Sequence, residues 1–287
     1  MLMRCILSVF LMCMFMFTGC INDNGIDEEI VLDGKYEGEG EKIAVDSKGN
    51  IYFTATYRGT INYGDKVLEN EKIEYNENTY EETSYFLARL NNDGSQAWAI
   101  DLGVAEDHSH VSQIALDSND NLYVGGVFRY DDFKFGSTTL STTGGNDIFV
   151  VKLNNNGVVQ WAVTAGGGDD VGGDSYFNDE SINGLTVHSN GDIYIVGAFQ
   201  KTAWFGSYNL TSGSSESTNQ MNGFVAKLSS NGTWDWATKI ASDDYGVAYE
   251  IALLSTGDAY VCGAASSWGN VLFGDIELES GGYISKI

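Results

Sequence analysis

The feature that most constrains the fold is a stretch that occurs three times in register. It reads SYFLARLNNDGSQAWAI from Ser84, DIFVVKLNNNGVVQWAV from Asp147 and NGFVAKLSSNGTWDWAT from Asn222. Each copy carries an aromatic residue, then a basic residue, an Asn/Asp-Gly turn and a Trp followed by Ala. A shortened fourth copy, GGYISKI, begins at Gly281. Self-similarity at a fixed period is typical of repeat architectures, so we expect one structural unit built several times.

Each repeat opens with two short apolar runs around a polar turn. The turns contain Asn, Asp and Gly, which tolerate the left-handed backbone that a tight hairpin needs. The runs are IAVDSKGNIYFTAT from Ile43, IALDSNDNLYVGGVF from Ile114, LTVHSNGDIYIVGAF from Leu185 and IALLSTGDAYVCGAA from Ile251. Each repeat is therefore predicted to begin as a β-hairpin.

An aromatic-Gly-x-x-x-Leu segment separates the two patterns in every repeat, starting at Tyr63, Phe135, Phe205 and Phe273. One repeat then holds two hairpins, with four main antiparallel strands, and this inserted segment. Period-2 patterning without helical periodicity predicts an all-β chain. Four-stranded sheets repeated about every 70 residues are the blades of a β-propeller. Phe149, Trp161 and their equivalents are expected to fill the layers between blades.

The motifs DSKGNIYFTA and FGSTTLSTTGGNDIFVVKLNNNGVVQWA, with their copies, resemble the β-propeller repeat family often labelled seven-bladed. That family occurs in secreted and surface proteins of prokaryotes. The resemblance covers about residues 40–287 and implies an extracytoplasmic propeller, often a module of a larger protein, with no common enzymatic activity. This chain has four repeats, which we number 1 to 4 and place at about residues 41–108, 109–179, 180–245 and 246–287.

Repeat 4 stops before the Gly-turn-Trp strand, which leaves two interpretations of how the propeller ends. In one, residues 29–34 (EIVLDG) supply the missing strand and close a four-bladed propeller. In the other, the chain is the front part of a larger propeller. Closure removes the exposed strand edges that invite aggregation.

The N-terminal residues predict that the protein is exported. Arg4 precedes an apolar run from Cys5 to Phe17, which is too short to span a bilayer as a helix and has the proportions of a signal peptide. Thr18-Gly19-Cys20 resembles the lipobox of bacterial lipoproteins, so residues 1–19 are expected to be a signal peptide and Cys20 the lipidated mature N-terminus. Residues 20–40 would then be an acidic tether. The predicted location is a membrane anchor on the periplasmic or cell-surface side.

The charge balance restricts the partners. With 15 Lys+Arg against 40 Asp+Glu, the formal net charge is −25. Such a chain is not expected to bind nucleic acid or anionic lipid through a basic patch, whereas a cation or a basic partner is compatible with it.

Carboxylates recur in the loops that lead into each repeat. They are Glu39, Glu41, Glu106, Asp107, Asp169, Asp170, Asp243 and Asp244. Corresponding loops of a propeller lie on one face, where eight carboxylates would raise one another's pKa unless a cation neutralises them. Calcium, which takes 6–8 oxygen ligands, is the cofactor that this pattern indicates. The alternative is that these loops are simply solvated.

The basic residue of each repeat also has two interpretations. Arg89, Lys152, Lys227 and Lys286 could form a ring of cations that grips an anion. Alternatively, each pairs with a carboxylate of the neighbouring blade while its alkyl stem covers the aromatic layer.

No catalytic constellation stands out, and the sequence is repeat-symmetric wherever it aligns. This favours a non-catalytic binding or scaffold module, presenting loops to a protein or glycan partner at the cell surface. The alternative is a propeller enzyme of hydrolase or lactonase type with a metal in the central channel, which needs unlike residues from several blades.

Overall fold

The structure is a computed structural model. It describes residues 40–70, 72–75, 78–81, 83–104, 109–129, 133–142, 144–167, 180–212, 221–241, 245–265, 271–273, 276–278 and 281–287, together with four two-residue strands before residue 40. Within these residues all regular structure is β, and every pair of named strands is antiparallel. The predicted all-β class is confirmed. The described residues include no helix that could cross a membrane.

The first compact unit comprises Met1–Glu106. Its strands are β1 (Phe17–Thr18), β2 (Ile21–Asn22), β3 (Gly25–Ile26), β4 (Glu29–Ile30), β5 (Gly40–Val45), β6 (Ile51–Tyr57), β7 (Thr60–Tyr63), β8 (Lys66–Glu69), β9 (Lys72–Tyr75), β10 (Asn78–Glu81), β11 (Ser84–Leu90) and β12 (Gln96–Val104). Repeat 1 forms a four-stranded sheet in the order β12-β11-β6-β5, with β7–β8 and β9–β10 as separate hairpins.

The second compact unit comprises Asp107–Ile287 and holds repeats 2, 3 and 4. The strands of repeat 2 are β13 (His110–Leu116), β14 (Leu122–Phe128), β15 (Phe133–Phe135), β16 (Thr138–Leu140), β17 (Asp147–Leu153) and β18 (Val159–Ala165). Those of repeat 3 are β19 (Ser181–Val187), β20 (Ile193–Gln200), β21 (Thr202–Phe205), β22 (Tyr208–Thr211), β23 (Met221–Leu228) and β24 (Trp234–Ala241). Those of repeat 4 are β25 (Gly246–Leu253), β26 (Ala259–Ala265), β27 (Val271–Phe273), β28 (Ile276–Leu278) and β29 (Gly281–Lys286).

Strand order within the sheets follows chain order. Repeat 2 gives β13-β14-β17-β18, and repeat 3 gives β19-β20-β23-β24. The inserted hairpin β27–β28 of repeat 4 extends the sheet of repeat 3, because Ile240 of β24 pairs with Phe273. The sheet of repeat 4 has three strands, β25-β26-β29. Four-stranded groups are thus present in repeats 1 to 3, whereas their arrangement as propeller blades stays a prediction.

Every first strand carries an irregularity at the same repeat position. The register with the second strand shifts between Gly40 and Lys42, Val111 and Gln113, Ile182 and Gly184, and Ala248 and Glu250. The extra residues are Glu41, Ser112, Asn183 and Tyr249. A β-bulge of this kind bends the strand and re-aims a side chain. These four residues differ in chemistry, so the bulge has no signature in the repeated sequence.

The cores of repeats 1, 2 and 3 are built around the repeated Phe. Phe86, Phe149 and Phe224 are fully buried, and the inserted hairpin packs an aromatic residue on each of them. In repeat 3 the ring centroids of Phe205 and Phe224 are 4.9 Å apart. The aromatic-Gly segment therefore covers one face of the sheet.

The repeated Trp residues lie at the margin of this core and are less buried than the repeated Phe. Trp98, Trp161 and Trp236 are half-buried on the fourth strands β12, β18 and β24. Since a fourth strand pairs on one side only within its own four-stranded group, its large side chains are only partly covered. Trp161 packs on the border of the core cluster that joins repeats 2 and 3.

Candidate functional site

The repeated basic residue is bound by carboxylates, most clearly in repeat 3. The Lys227 Nζ lies 2.7 Å from Asp192 Oδ2 and 2.9 Å from Asp235 Oδ2. It also lies 5.8 Å from the ring centroid of Tyr194, a cation–π distance. The hydrogen bond to Asp192 is the main reason that the pKa of Lys227 lies well above its usual value. Burial works against ionisation of Asp192, but hydrogen bonds from Lys227 and Asn190 hold its pKa below the usual range.

All or part of the same cluster recurs in the other repeats. In repeat 2, Lys152 Nζ lies 3.9 Å from Asp117 Oδ2 and 5.0 Å from the Tyr123 ring centroid. In repeat 4, Lys286 Nζ lies 2.9 Å from Asp258 Oδ2. In repeat 1, the guanidinium of Arg89 lies 5.7 Å from the Tyr52 ring centroid.

The carboxylate comes from the repeat's own hairpin turn, not from the neighbouring blade as expected. In repeat 2 it is Asp117, the residue before the turn, whereas in repeats 3 and 4 it is Asp192 and Asp258, the residue after the turn. Position 188 is His and position 254 is Leu, so the acid has changed ends of the turn while the ion pair is kept.

The turn carboxylate also holds the turn itself. Asp117 Oδ1 accepts hydrogen bonds from the backbone N–H groups of Asn119 and Asn121, both at 2.9 Å, and Oδ2 accepts from the Tyr123 hydroxyl at 3.1 Å. Burial, and next the charge of Asp117, raise the pKa of Tyr123. Asp46 accepts the equivalent backbone bonds from Lys48 and Asn50 in repeat 1. These contacts favour a structural role for the cation cluster over an anion-binding ring.

A second set of polar residues lies along the first strands of the second compact unit. We call Ser112, Gln113, Asn183, Tyr249 and Glu250 the inner-strand row. Gln113 Nε2 donates to the Asn183 carbonyl oxygen at 2.5 Å, and Asn183 Nδ2 donates to the Ala248 carbonyl oxygen at 2.8 Å. These two amides tie β13 to β19 and β19 to β25.

The end of the inner-strand row in repeat 4 faces solvent. Tyr249 is 49% exposed, Tyr245 is partly exposed beside it, and Glu250 is exposed. Burial, and next the neighbouring Tyr249, raise the pKa of Tyr245. Glu250 also lies against Gly184 of β19, where a Cβ would come within 2.9 Å of its Oε1. Sequence reasoning missed this row, because its members occupy bulges and differ from repeat to repeat.

A third polar set lies two residues before the repeated Phe, at Ser84, Asp147 and Asn222, all nearly fully buried. In repeat 1, Asn70 Nδ2 donates to Ser84 Oγ at 3.0 Å, and the Asn70 N–H donates to the Gly59 carbonyl oxygen at 3.1 Å. In repeat 3, the Ser212 N–H donates to the Lys201 carbonyl oxygen at 2.7 Å. Asn70 in repeat 1 and Ser212 in repeat 3 thus close the base of the inserted hairpins.

The predicted acidic ligands fall almost entirely outside the described residues. This holds for Glu39, Glu106, Asp107, Asp169, Asp170, Asp243 and Asp244, and also for Cys20. Glu41 is described: it is exposed and lies within strand β5 at the bulge, not in a loop. In the part of the chain that the structure describes, no three His, Cys, Asp or Glu side chains are grouped so that they could hold a metal ion.

Comparisons with known proteins yield similarity to solved structures alone, with eight matching chains. No protein family matches the chain, and no curated protein matches it. A solved structure of a protein of unknown function from Bacteroides caccae aligns with 91% of this chain and 68% of its own, at 13% identity and a TM-score of 0.40. The resemblance to the β-propeller repeat family therefore stays a prediction.

Proposed function

We propose that the protein is an extracytoplasmic, lipid-anchored β-propeller that acts as a non-catalytic binding or scaffold module. Its four repeats would supply the blades, and the first strands, which carry the inner-strand row, would lie nearest the axis. Its partner would be a protein or glycan at the cell surface.

The observation that carries the proposal is that the recurring polar side chains make their ion pairs and hydrogen bonds within the protein. Lys227 is held by Asp192 and Asp235, and Lys152 lies against Asp117. The side-chain amides of Gln113 and Asn183 donate hydrogen bonds to backbone carbonyl oxygens of the neighbouring repeats. Residues used in this way stabilise sheets, which is what a scaffold requires.

The exposed end of the inner-strand row supports a binding role. Tyr245 and Tyr249 offer aromatic surface with polar hydroxyls, and Glu250 adds a carboxylate beside them. Tyrosine is a frequent contact residue at interfaces because its ring covers apolar area at low entropy cost.

The anchor is tested by cell fractionation. The Cys20→Ala variant should move from membranes into soluble extracts, because position 20 then has no thiol to lipidate, whereas Cys262→Ala should stay with the membrane. A Cys20→Ala protein that still fractionates with membranes would overturn the lipoprotein proposal.

The non-catalytic role is tested against the hydrolase alternative. Purified protein should leave a panel of lactones and esters unchanged beyond the buffer rate, with or without added calcium or zinc. Turnover that a chelator abolishes would replace the scaffold proposal by the metal-dependent hydrolase or lactonase.

The propeller arrangement is tested by small-angle scattering. A single compact domain of about this size has a radius of gyration of roughly 18 Å. A clearly larger value for the monomer would contradict a closed four-bladed propeller and favour the front part of a larger one.

A further inference from the structure

One edge of strand β29 has no partner strand among the residues that the structure describes. The equivalent edge is paired with a fourth strand in the sheets of repeats 1, 2 and 3. In repeats 1, 2 and 3 the third strands β11, β17 and β23 pair on one side with the second strand and on the other with a fourth strand. In repeat 4 the third strand β29 pairs with β26, and the strands that the structure describes include none on its other side.

The backbone pattern shows which groups of β29 are available. Ala259 and Ile287 exchange both N–H···O=C hydrogen bonds, at 2.9 and 3.1 Å. Because hydrogen-bonded and non-hydrogen-bonded pairs alternate in an antiparallel ladder, the N–H and C=O groups of Gly282, Ile284 and Lys286 point away from β26. The edge therefore presents three residues with both a donor and an acceptor.

Side chains at this edge are exposed where their equivalents are buried. Ile284 is 78% exposed, whereas Leu87, Val150 and Val225 at the same repeat position are fully buried. Tyr260 is 39% exposed, whereas Tyr52 and Tyr123 are fully buried and Tyr194 is partly buried. An exposed, apolar strand edge is a template for pairing with another strand.

The three filled sites specify the register and chemistry of the missing strand. The residue opposite the repeated cation is Trp in every case: Trp98 opposite Arg89, Trp161 opposite Lys152 and Trp236 opposite Lys227. The indole then meets the repeated Tyr edge-on, with centroids 6.0, 6.0 and 6.1 Å apart. Opposite the position of Ile284 stands Ile100, Val163 or Thr238, all β-branched.

We infer that β29 accepts an antiparallel strand from outside these 287 residues, with Trp opposite Lys286 and a β-branched residue opposite Ile284. Strand addition of this kind gains affinity from main-chain hydrogen bonds and specificity from alternate side chains. The Trp of the incoming strand covers Tyr260, as Trp161 covers Tyr123.

The strand is expected from outside these 287 residues because the Trp-Ala strands within them are already used. Each of β12, β18 and β24 is the fourth strand of its own sheet. Residues 1–39 contain no Trp, since the first of the six Trp residues is Trp98. A second copy would have to give up one of its own sheets to supply the strand.

This inference names a partner class for the binding role proposed above and rests on it. The two proposals can fail independently. The binding role is tested by assays of substrate turnover and by cell fractionation, whereas this inference is tested by peptide binding. The probe is a synthetic peptide of sequence GVVQWAVTAG, which copies residues 157–166 around β18. Its matched control has Ala in place of Trp. Both carry a fluorophore, and binding to the full chain is measured by anisotropy.

The expected result is saturable binding of the Trp peptide and at least tenfold weaker binding of the Ala peptide. Amide hydrogen exchange should slow at Gly282, Ile284 and Lys286 on binding, and change little at Tyr283 and Ser285, which already face β26. The Ile284→Lys variant should lose binding, while Val67→Lys, at a site 56% exposed on β8, should retain it. Both variants replace solvent-exposed side chains, and equal melting temperatures confirm that both fold.

Three results would overturn the inference. The first is equal binding of the two peptides, or none. The second is protection of the three edge amides in dilute protein without peptide, which would show that the chain occupies its own edge. The third is concentration-dependent self-association that Ile284→Lys abolishes, which would make the occupant a second copy.

Discussion

The indole Nε1–H of Trp161 donates a hydrogen bond to the carbonyl oxygen of Ser230 at 3.1 Å. Trp161 lies on the fourth strand of repeat 2, and Ser230 lies in the second hairpin turn of repeat 3. The same indole rests on Gly232 of that turn, where a Cβ would come within 2.8 Å of the ring. One side chain thus fixes a sheet against the turn of the next sheet. The contact explains why repeat 2 keeps a Trp in this half-buried position.

Removing this side chain should destabilise the fold moderately. Trp161→Ala loses one hydrogen bond, worth about 1 kcal/mol, and part of an aromatic contact surface, for a total of about 2 kcal/mol. Phe149→Ala is the matched control for full burial, and it should cost about 3–5 kcal/mol. Urea denaturation of both variants measures the difference. Equal costs would mean that Trp161 belongs to the core.

Adding a methyl group under the indole should destabilise the fold more than adding one where no other atom is close. Gly232 and Gly103 have nearly the same φ, +84° and +85°, in the left-handed region. A Cβ at Gly232 meets the Trp161 ring, whereas nothing lies within 4 Å of one at Gly103. Gly103→Ala should cost about 1 kcal/mol from backbone strain alone, and Gly232→Ala at least about 1 kcal/mol more. Thermal unfolding of the two variants decides this, and identical melting temperatures would contradict the indole contact.

The ion pair of Lys227 with Asp192 should show measurable coupling. A double-mutant cycle with Lys227→Met and Asp192→Asn should give about 1 kcal/mol at pH 7, since both side chains are mostly buried. The pair Lys286–Asp258 is more exposed and serves as the control, with a smaller coupling. A larger coupling at the exposed pair would contradict the role of burial.

The same ion pair makes stability depend on pH in a definite direction. The folded pKa of Asp192 is lowered, so its contribution is present above the ordinary Asp pKa of about 3.9 and is lost as the pH falls through the folded value. The pKa of Lys227 is raised, so its contribution is complete below the ordinary Lys pKa of about 10.4 and is lost at higher pH. Wild type should therefore lose its advantage over Asp192→Asn in denaturation experiments below about pH 4. An advantage that persists at pH 2 would contradict this assignment.

Calcium should stabilise the chain if the acidic loops hold it. Millimolar calcium is expected to raise the melting temperature, because a bound cation relieves repulsion among the loop carboxylates. Asp169→Asn combined with Asp170→Asn should remove most of that gain. Calorimetry with and without chelator measures it, with Asp93→Asn, in an exposed turn, as the control. An equal shift with sodium chloride at matched ionic strength would leave only screening.

The elements that the sequence predicts well are those with local causes. Asn-Asp-Gly at 92–94 and Asn-Asn-Gly at 155–157 predict turns, and the turn glycines do adopt positive φ. Alternating apolar residues predict the strands on either side, and Phe149 and Phe224 are buried as their pattern indicates. Each of these depends on the conformational preferences of a few consecutive residues.

The candidate sites were only partly predictable, since they depend on which strands become neighbours. The change of the turn acid from Asp117 to Asp192 looks like a loss of pattern in the sequence. Folding brings both ends of the turn beside the same cation, so either acid serves. The bulge residues Ser112, Asn183 and Tyr249 have no common chemistry, and only the register of the ladder shows that they are equivalent.

The sequence by itself determined the repeat, the antiparallel all-β class and the aromatic residues of the core, because hydrophobic periodicity and turn chemistry act over short distances. Tertiary structure alone decided that Trp161 binds the next repeat's turn, that Lys152, Lys227 and Lys286 pair within their own repeats, and that β29 has a partner strand on one side only among the described residues. The physical reason is that hydrogen bonds and ion pairs between strands depend on register and spacing. Those are set only when several sheets pack together.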